Sequence, residues 1–192
     1  MKAVNISEIN GSVRAPASKS VMIRATAASL LSRGETLILN PSACADSLAA
    51  LKIVRGLGAT TMAMEDRILI TGTGNTVGGL STDVLDCGES GLCMRMFTPI
   101  AALGRNSFML QAVGSLQNRP MKALESLSSL GARCRTQDGY PPISVQGPLK
   151  GGVIDIDGSQ SSQFLTGLLI ATPLCETDTE IRVSNLKSIP YV

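Results

Sequence analysis

Hydrophobic residues along this chain alternate between short strand-like runs and longer helix-like stretches. The strand-like runs include ETLILN at 35–40, NSFMLQ at 106–111 and TEIRVS at 179–184. Helices are predicted at about 18–32, 46–57, 91–103, 120–130 and 161–172. Hairpin-like segments, TTMAMEDRILITG and RCRTQDGYPPISVQG, follow the second and fourth predicted helices. The pattern therefore predicts a mixed α/β (α+β) fold.

The pattern is also duplicated within the chain. Each copy consists of a helix, a strand, a second helix and then two or three strands, and both second helices end in Leu-Gly-Ala. The matching positions are Leu37 with Leu110, Leu51 with Leu124, and Leu57-Gly58-Ala59 with Leu130-Gly131-Ala132. A third copy begins near 157, but only its first half fits before Val192. Because repeat units bury their apolar faces against their neighbours, we expect the chain to be a fragment with a truncated third unit.

Composition excludes several classes of partner. The net charge is only +2, and the chain has no Trp, two Tyr and three Phe, so neither a basic stripe nor an aromatic platform supports nucleic-acid binding. No apolar run of ~18 residues predicts a membrane span. Five cysteines without a CxxC pair argue against disulfides and zinc, and indicate a reducing cytoplasm. His is absent, which excludes imidazole catalysis and His metal sites.

Side chains suited to anions are found where the predicted helices begin. Lys19 and Ser20 open the first helix, and Arg24 shares a face with Ser20 because four residues separate them. Gly91 introduces the third helix, and Arg95 lies one turn inside it. Glycine allows close approach to the backbone, and a helix N-terminus adds partial positive charge. These two helix starts can therefore bind anions.

Three further helix starts carry polar side chains. Pro120 is predicted at the first helical position, so Arg119 lies where the helix dipole disfavours a cation unless an anion is present. Asp46 is predicted as an N-cap. The last helix start offers Ser161, Ser162 and Gln163, more hydrogen-bonding groups than capping requires. Capping or solvation explains each stretch alone, but helices packed side by side can direct all these N-termini to one site.

Five ordered motifs resemble the 5-enolpyruvylshikimate-3-phosphate (EPSP) synthase family across practically the whole chain. They are ASKSVMIR at 17–24, GESGLCMR at 88–95, NRPM at 118–121, SSQFLT at 161–166 and SIPY at 188–191. The resemblance implies the enolpyruvyl transferase fold: two similar domains, each of three β-α-β-α-β-β units with helices inside their sheets, an inside-out α/β barrel. Residues 1–13 would be an entry strand pairing with a missing second domain, and 14–192 most of the first domain.

The resemblance also implies an activity. The family transfers the enolpyruvyl group of phosphoenolpyruvate to the 5-hydroxyl of shikimate 3-phosphate, in aromatic amino acid biosynthesis through chorismate, without a metal or cofactor. The full-length protein would be a cytoplasmic monomer. By motif, shikimate 3-phosphate would be bound by Ser20, Arg24, Ser161, Ser162, Ser188 and Tyr191. Phosphoenolpyruvate would contact Lys19, Arg119 and Gln163, which are the catalytic candidates, and the Gly91 backbone, with Asp46 and Arg95 in support.

The chain departs from the family pattern in places. Glu89 replaces a usual Asn, Leu92 a usual Thr, and Ile189 a frequent Lys. The family's inhibitor glyphosate competes with phosphoenolpyruvate beside Gly91, and the family's acidic proton-transfer residues belong to the second domain. One alternative is a UDP-N-acetylglucosamine enolpyruvyl transferase, but its cysteine-bearing loop corresponds to 114–118, which reads GSLQN here. A second alternative is a non-catalytic anion-binding fragment.

Overall fold

The described part of the chain contains four α-helices, three 3-10 helices and nine strands. The computed structural model describes residues 8, 10–78, 82–159, 162–189 and 192. The α-helices are α1 (Lys19–Leu31), α2 (Ala45–Gly56), α3 (Gly91–Ala101) and α4 (Ser162–Ala171). The 3-10 helices are Gly114–Asn118, Lys122–Leu130 and Thr172–Leu174. The strands are β1 (Glu35–Leu39), β2 (Thr60–Ala63), β3 (Arg67–Thr71), β4 (Val84–Asp86), β5 (Ser107–Gln111), β6 (Arg133–Gln137), β7 (Tyr140–Gln146), β8 (Gly152–Asp157) and β9 (Thr179–Ser184).

The strands form three sheets whose topologies repeat. The first has the order β1-β3-β2, and the second has the order β4-β5-β7-β6. β1, β3 and β2 are connected by antiparallel pairing in the same order as β5, β7 and β6. The third sheet, β8-β9, is a parallel pair like β4-β5. The predicted repeat is therefore confirmed, although no sheet closes into a barrel within the described residues.

The helices form the interior, and the strands present alternate residues to them. Every residue of α3 except Arg95 is buried. β5 buries Phe108 and Leu110 and exposes Ser107, Met109 and Gln111. α4 packs closely on α3 at Gly167, where a Cβ atom would lie 2.6 Å from the Met96 carbonyl oxygen. The helices of the described residues therefore lie inside their sheets, as expected.

The predicted helix at 120–130 differs from the observed structure in type and start. It is a 3-10 helix that begins at Lys122, so Pro120 is not at the first helical position. Its buried residues are Leu124, Leu127 and Leu130, and a spacing of three matches the three residues per turn of a 3-10 helix. Gly131 ends it in the left-handed conformation, with φ 93°. The leucine spacing was the available sequence signal.

Two other features of the fold concern the first residues of the chain and a proline inside α3. Of the entry strand predicted for 1–13, residues 1–7 and 9 lie outside the described residues, and Glu8 and 10–13 belong to no strand. Pro99 lacks the N–H that would bond the Arg95 carbonyl, yet α3 continues through it to Ala101. Only the last turn of α3 lies beyond this missing bond.

Candidate functional site

The starts of four α-helices and one 3-10 segment meet at a single cleft of about 340 Å³. Its lining is Lys19, Ser20, Asp46, Glu89, Gly91, Leu92, Ser115, Arg119 and Gln163. Six of these nine residues were singled out from sequence: Lys19, Ser20, Asp46, Gly91, Arg119 and Gln163. Helix starts that are far apart in the chain are thus brought together, as the convergence argument predicted.

Lys19 is the first residue of α1 and is held at the cleft by an ion pair. Ser18 caps the helix, accepting a hydrogen bond from the Val21 N–H at 3.4 Å. The Lys19 Nζ lies 2.9 Å from Asp46 Oδ2. The hydrogen bond and the charge of Asp46 raise the pKa of Lys19, so the ammonium stays charged at neutral pH.

Asp46 does not cap α2, contrary to the sequence prediction. The N-cap residue is Cys44, which makes no side-chain capping bond, and Asp46 is the second helical residue. Its carboxylate pairs with Lys19 instead, while remaining in the first turn, where the helix dipole favours an anion. The ion pair with an element 27 residues away is a tertiary contact that no local pattern reveals.

Gly91 begins α3 and lets two guanidinium groups approach the same point. Ser90 caps this helix by accepting the Cys93 N–H at 3.3 Å. A Cβ atom on Gly91 would lie 2.9 Å from Arg95 Nη1 and 3.4 Å from Arg119 Nη1. The absence of a side chain therefore allows both cations to lie at the helix N-terminus, whose partial charge is also positive.

Arg95 connects α3 to α4 and to the segment that contains Pro120. Its Nη1 donates to Gln163 Oε1 and its Nη2 to the Pro120 carbonyl, each at 3.1 Å. Burial, and then the nearby Arg119, lower the pKa of Arg95 from its ordinary value. No Asp or Glu forms a salt bridge with Arg95 among the residues that the structure describes. Arg95 also lines a second cavity of about 180 Å³, together with apolar residues that include Leu124, Ile156 and Phe164.

Arg119 lies between two 3-10 helices rather than at an α-helix start. Its backbone is extended, with φ −95° and ψ 132°. Its Nη2 donates to Ser115 Oγ at 3.2 Å, and its side chain is exposed in the cleft. The predicted conflict between Arg119 and a helix dipole is therefore wrong, because the helix begins only at Lys122. The like charge near Arg119 is instead that of Arg95, whose pKa Arg119 helps to lower.

Three lining residues were not predicted as site residues: Glu89, Leu92 and Ser115. Glu89 accepts the Ser115 N–H at 2.8 Å across 26 residues of chain. Leu92 is buried as the second residue of α3. Glu89 and Leu92 could have been suspected from their departures from the family pattern. Ser115 gives no local signal, because its place depends on tertiary contacts.

The predicted shikimate 3-phosphate residues are not all in this cleft. Ser20 lines it, while Arg24 lies one turn along α1 and donates to the Ser20 carbonyl at 3.1 Å. Ser162 is buried at the start of α4, beside the cleft residue Gln163. Ser188 is exposed with φ 57° and is not part of the cleft lining. Ser161 and Tyr191 lie outside the described residues.

The cysteines, the possible metal ligands and the helices of the described residues bear on other kinds of site. All five cysteines are free thiols. The described residues hold no group of three or more His, Cys, Asp and Glu arranged to bind a metal ion. Nor does any helix among them have the length and hydrophobicity needed to cross a membrane.

Comparison with solved structures defines the class of fold. EPSP synthase from Acinetobacter baumannii matches with a TM-score of 0.77 and 26% identity, covering 89% of this chain and 40% of that one. The enolpyruvyl transferase NikO from Streptomyces tendae matches at 16% identity with a TM-score of 0.58, covering 84% of this chain and 37% of its own, which shows likeness of fold alone. The fold is that of the enolpyruvyl transferases.

Sequence comparison then defines the family. Residues 4–192 match the family described as EPSP synthase (3-phosphoshikimate 1-carboxyvinyltransferase), and the chain belongs to that family. A 3-phosphoshikimate 1-carboxyvinyltransferase from Methanocorpusculum labreanum is 41% identical over 192 residues, covering 98% of this chain and 45% of the relative. One from Pasteurella multocida is 39% identical, covering 97% of this chain and 46% of the relative. The chain spans less than half the length of the curated relatives it matches.

Proposed function

We propose that this chain forms one wall of a site that transfers the enolpyruvyl group of phosphoenolpyruvate to the 5-hydroxyl of shikimate 3-phosphate. The observation that carries the proposal is the convergence of Lys19, Gly91, Arg119 and Gln163 on one cleft. The same cations and helix starts suit two anionic substrates lying side by side, because fixed positive charges offset the repulsion between them. Family membership supplies the reaction.

Phosphoenolpyruvate occupies the cleft between Lys19 and Arg119 in this proposal. Arg119 offers a planar guanidinium that can bind a carboxylate or phosphate through two parallel hydrogen bonds, and Lys19 offers a compact charge. Gln163, held by Arg95 at 3.1 Å, supplies a directed amide. Gly91 lines the cleft at the start of α3, where a helix N-terminus favours an anion. Asp46 and Arg95 act in support by holding Lys19 and Gln163.

Shikimate 3-phosphate lies toward α1 and α4 in this proposal. Ser20 and Arg24 bind it from α1, and Ser162 and Ser188 from the third unit, together with Ser161 and Tyr191. Hydroxyl groups are suited to its phosphate, since they donate short hydrogen bonds to a charged oxygen. Ser20 is the member of this set that also lines the phosphoenolpyruvate cleft, which would bring the two substrates together.

The chemistry assigns this chain a binding and electrostatic role. The 5-hydroxyl gives up its proton as its oxygen adds to C2 of phosphoenolpyruvate, and C3 takes up a proton. Loss of phosphate from C2 and of a proton from C3 of the tetrahedral adduct then gives the product. Lys19, Arg119 and Gln163 stabilise the charge on the phosphate and carboxylate. We assign proton transfer to acidic residues in the part of the relatives that the chain does not span. Free thiols fit the reducing cytoplasm in which we place the reaction.

An affinity measurement on the 192-residue chain tests the cleft. Replacing Arg119 by Gln should weaken phosphoenolpyruvate binding by roughly 1.5–3 kcal/mol, the worth of hydrogen bonds to a charged group. Isothermal titration calorimetry measures the difference. Arg135→Gln, on the exposed side of β6, removes the same charge outside the cleft and should leave the affinity unchanged. Equal losses in both variants would mean that the chain attracts anions only through its overall charge.

A further inference from the structure

Glu89 joins the loop before α3 to the 3-10 helix Gly114–Asn118. Its Oε2 accepts the Ser115 N–H at 2.8 Å. The contact requires a glycine at 114, because a Cβ atom there would lie 2.5 Å from Cδ and Oε2 of Glu89. Gly114 also has φ 55°, a conformation that disfavours other residues. The backbone at 114–115 is thus shaped to receive the carboxylate.

The same serine continues the contact to Arg119. Ser115 uses its backbone N–H for Glu89 and its hydroxyl oxygen for Arg119 Nη2, which donates to it at 3.2 Å. A displacement of the Glu89 carboxylate would therefore move Ser115 and with it the partner that orients the Arg119 guanidinium. Glu89 contacts Ser115, and Ser115 contacts Arg119. The effect of Glu89 on the geometry of the cleft therefore passes through Ser115.

Glu89 also changes the charge of the cleft. The described lining holds two cations, Lys19 and Arg119, and two carboxylates, Asp46 and Glu89. Asp46 is paired with Lys19 at 2.9 Å. Hydrogen bonds from Ser115, helped by the charge of Arg119, lower the pKa of Glu89 below its ordinary value. Glu89 is therefore ionised at neutral pH, and an anion entering the cleft meets its negative charge.

We propose that Glu89 sets the charge selectivity of the cleft, because its carboxylate orients Arg119 through Ser115 and places a negative charge that every bound anion must face. The proposal rests on the proposed function, which makes the cleft an anion site. Coulombic repulsion grows with the charge of the ligand. Glu89 must then penalise phosphoenolpyruvate, which carries a phosphate and a carboxylate, more than pyruvate, which carries a carboxylate alone.

Two substitutions separate charge from geometry. Glu89→Gln removes the charge and keeps an oxygen that can accept the Ser115 N–H, whereas Glu89→Ala removes both. On the 192-residue chain, Glu89→Gln should tighten phosphoenolpyruvate binding about three- to tenfold, because it removes one negative charge from the lining of the cleft. Its effect on pyruvate should be smaller. Glu89→Ala should bind phosphoenolpyruvate more weakly than Glu89→Gln, since both are neutral and only Gln holds Ser115.

Further variants make the outcomes distinguishable. Glu65→Gln, an exposed residue between β2 and β3, makes the same change of charge outside the cleft and should leave both affinities unchanged. Ser115→Ala keeps the Glu89 contact through its N–H but loses the oxygen that Arg119 binds, and should weaken phosphoenolpyruvate binding.

Two outcomes would show that Glu89 does not set selectivity, provided that Arg119→Gln abolishes phosphoenolpyruvate binding. Either Glu89→Gln fails to strengthen phosphoenolpyruvate binding, or it strengthens pyruvate binding equally. If the unmodified chain binds neither anion, the cleft of this chain is not an anion site and this proposal fails, whereas the proposed transfer fails only if reconstitution with the rest of the protein releases no phosphate.

Discussion

At the scale of single residues, the cleft depends on the lack of a side chain at Gly91. The φ of Gly91 is not in the left-handed region, so its backbone conformation would admit alanine. A side chain is excluded by the neighbouring residues instead. A Cβ atom there meets Arg95 Nη1 at 2.9 Å and Arg119 Nη1 at 3.4 Å. Both are ends of flexible side chains, so they can move, but Arg119 then leaves its position in the cleft and Arg95 its contact with Gln163.

Gly91→Ala should therefore impair binding more than folding. We expect phosphoenolpyruvate affinity of the chain to fall about tenfold, or ~1.4 kcal/mol, and the free energy of unfolding to change by less than about 0.5 kcal/mol, as for a substitution without core disruption. Calorimetry and urea titration measure the two quantities. Gly34→Ala is the matched control, because a Cβ atom there meets nothing within 4 Å. A loss of stability without a loss of affinity would show that Gly91 serves packing.

The same geometry bears on glyphosate. The family resemblance predicts that this inhibitor competes with phosphoenolpyruvate beside Gly91, and that a methyl group there reduces inhibition more than substrate use. The structure directs the methyl group at Arg95 and Arg119. Phosphoenolpyruvate depends on these cations in our proposal, so the methyl group should affect the substrate as well, and the selectivity of Gly91→Ala for the inhibitor stays a prediction.

Residues could be predicted from sequence where the signal was local. Lys19, Gly91 and Gln163 stand out because unusual side chains, or the lack of one, occur at helix starts. The assignment of Asp46 as an N-cap failed because its carboxylate pairs with Lys19 on another helix. Glu89 was noticed only as a departure from the family pattern, and its contact with Ser115 depends on how two distant loops pack.

At the scale of elements, the 3-10 helix Lys122–Leu130 is tied to the second sheet by Glu125. Its carboxylate accepts the Thr136 N–H at 2.9 Å and the Thr136 hydroxyl, and lies 2.6 Å from Lys122 Nζ. Hydrogen bonding by Lys122, and then by Thr136, lowers the pKa of Glu125 from 4.5 to about 2. The carboxylate form therefore stabilises the contact between this helix and β6.

Glu125→Gln should lower stability in a pH-dependent way. Because the folded-state pKa is depressed, the stabilisation by Glu125 is complete above its ordinary pKa of 4.5 and is lost as the pH falls toward 2. At pH 7 we expect the variant to be less stable by about 1–2 kcal/mol, the lower part of the range for hydrogen bonds to a charged group, because Lys122 is exposed and solvent screens its charge. Urea unfolding at pH 7, 4 and 3 should show the difference shrinking.

A comparison at the surface isolates this effect. Glu35→Gln changes an exposed side chain at the start of β1 and should lower stability little at any of these pH values. A difference between Glu125→Gln and the unmodified chain that stays constant from pH 7 to 3 would mean that the carboxylate charge is not what joins the helix to the sheet.

Helix starts were predictable to within two residues from where the helical pattern begins, although α2 has no side-chain cap. α1, α2 and α3 start at residues 19, 45 and 91, against predicted starts of about 18, 46 and 91. The type of the helix at 122–130 was missed because its leucines recur every third residue, which a search for α-helical spacing does not distinguish. β4 was not located because a three-residue strand paired to β5 has too few residues to show alternation.

At the scale of the whole molecule, the three sheets are unequal. The second has four strands in the order β4-β5-β7-β6, while β8-β9 corresponds only to its first two. The chain also spans 45% of its relative from Methanocorpusculum labreanum. We propose that residues 14–192 form most of one domain with a truncated third unit, that 1–13 pair with a second domain, and that the complete protein is a monomer. The cleft then has one wall in this chain and the other in the second domain.

Reconstitution tests this division. The 192-residue chain should bind anions weakly and release no phosphate from phosphoenolpyruvate with shikimate 3-phosphate, because holding two reactants together is worth ~7–11 kcal/mol and one wall forfeits most of it. The chain also has no His to replace the acidic groups we assign to the second domain.

A second polypeptide, spanning the part of the Methanocorpusculum labreanum relative that this chain does not match, should restore phosphate release when the two are mixed. The mixture made with the Arg119→Gln chain should release phosphate far more slowly, whereas the Arg135→Gln mixture should match the unmodified one. Phosphate release by the chain alone would overturn the two-wall site, and a second polypeptide active without the chain would remove Lys19 and Arg119 from the chemistry.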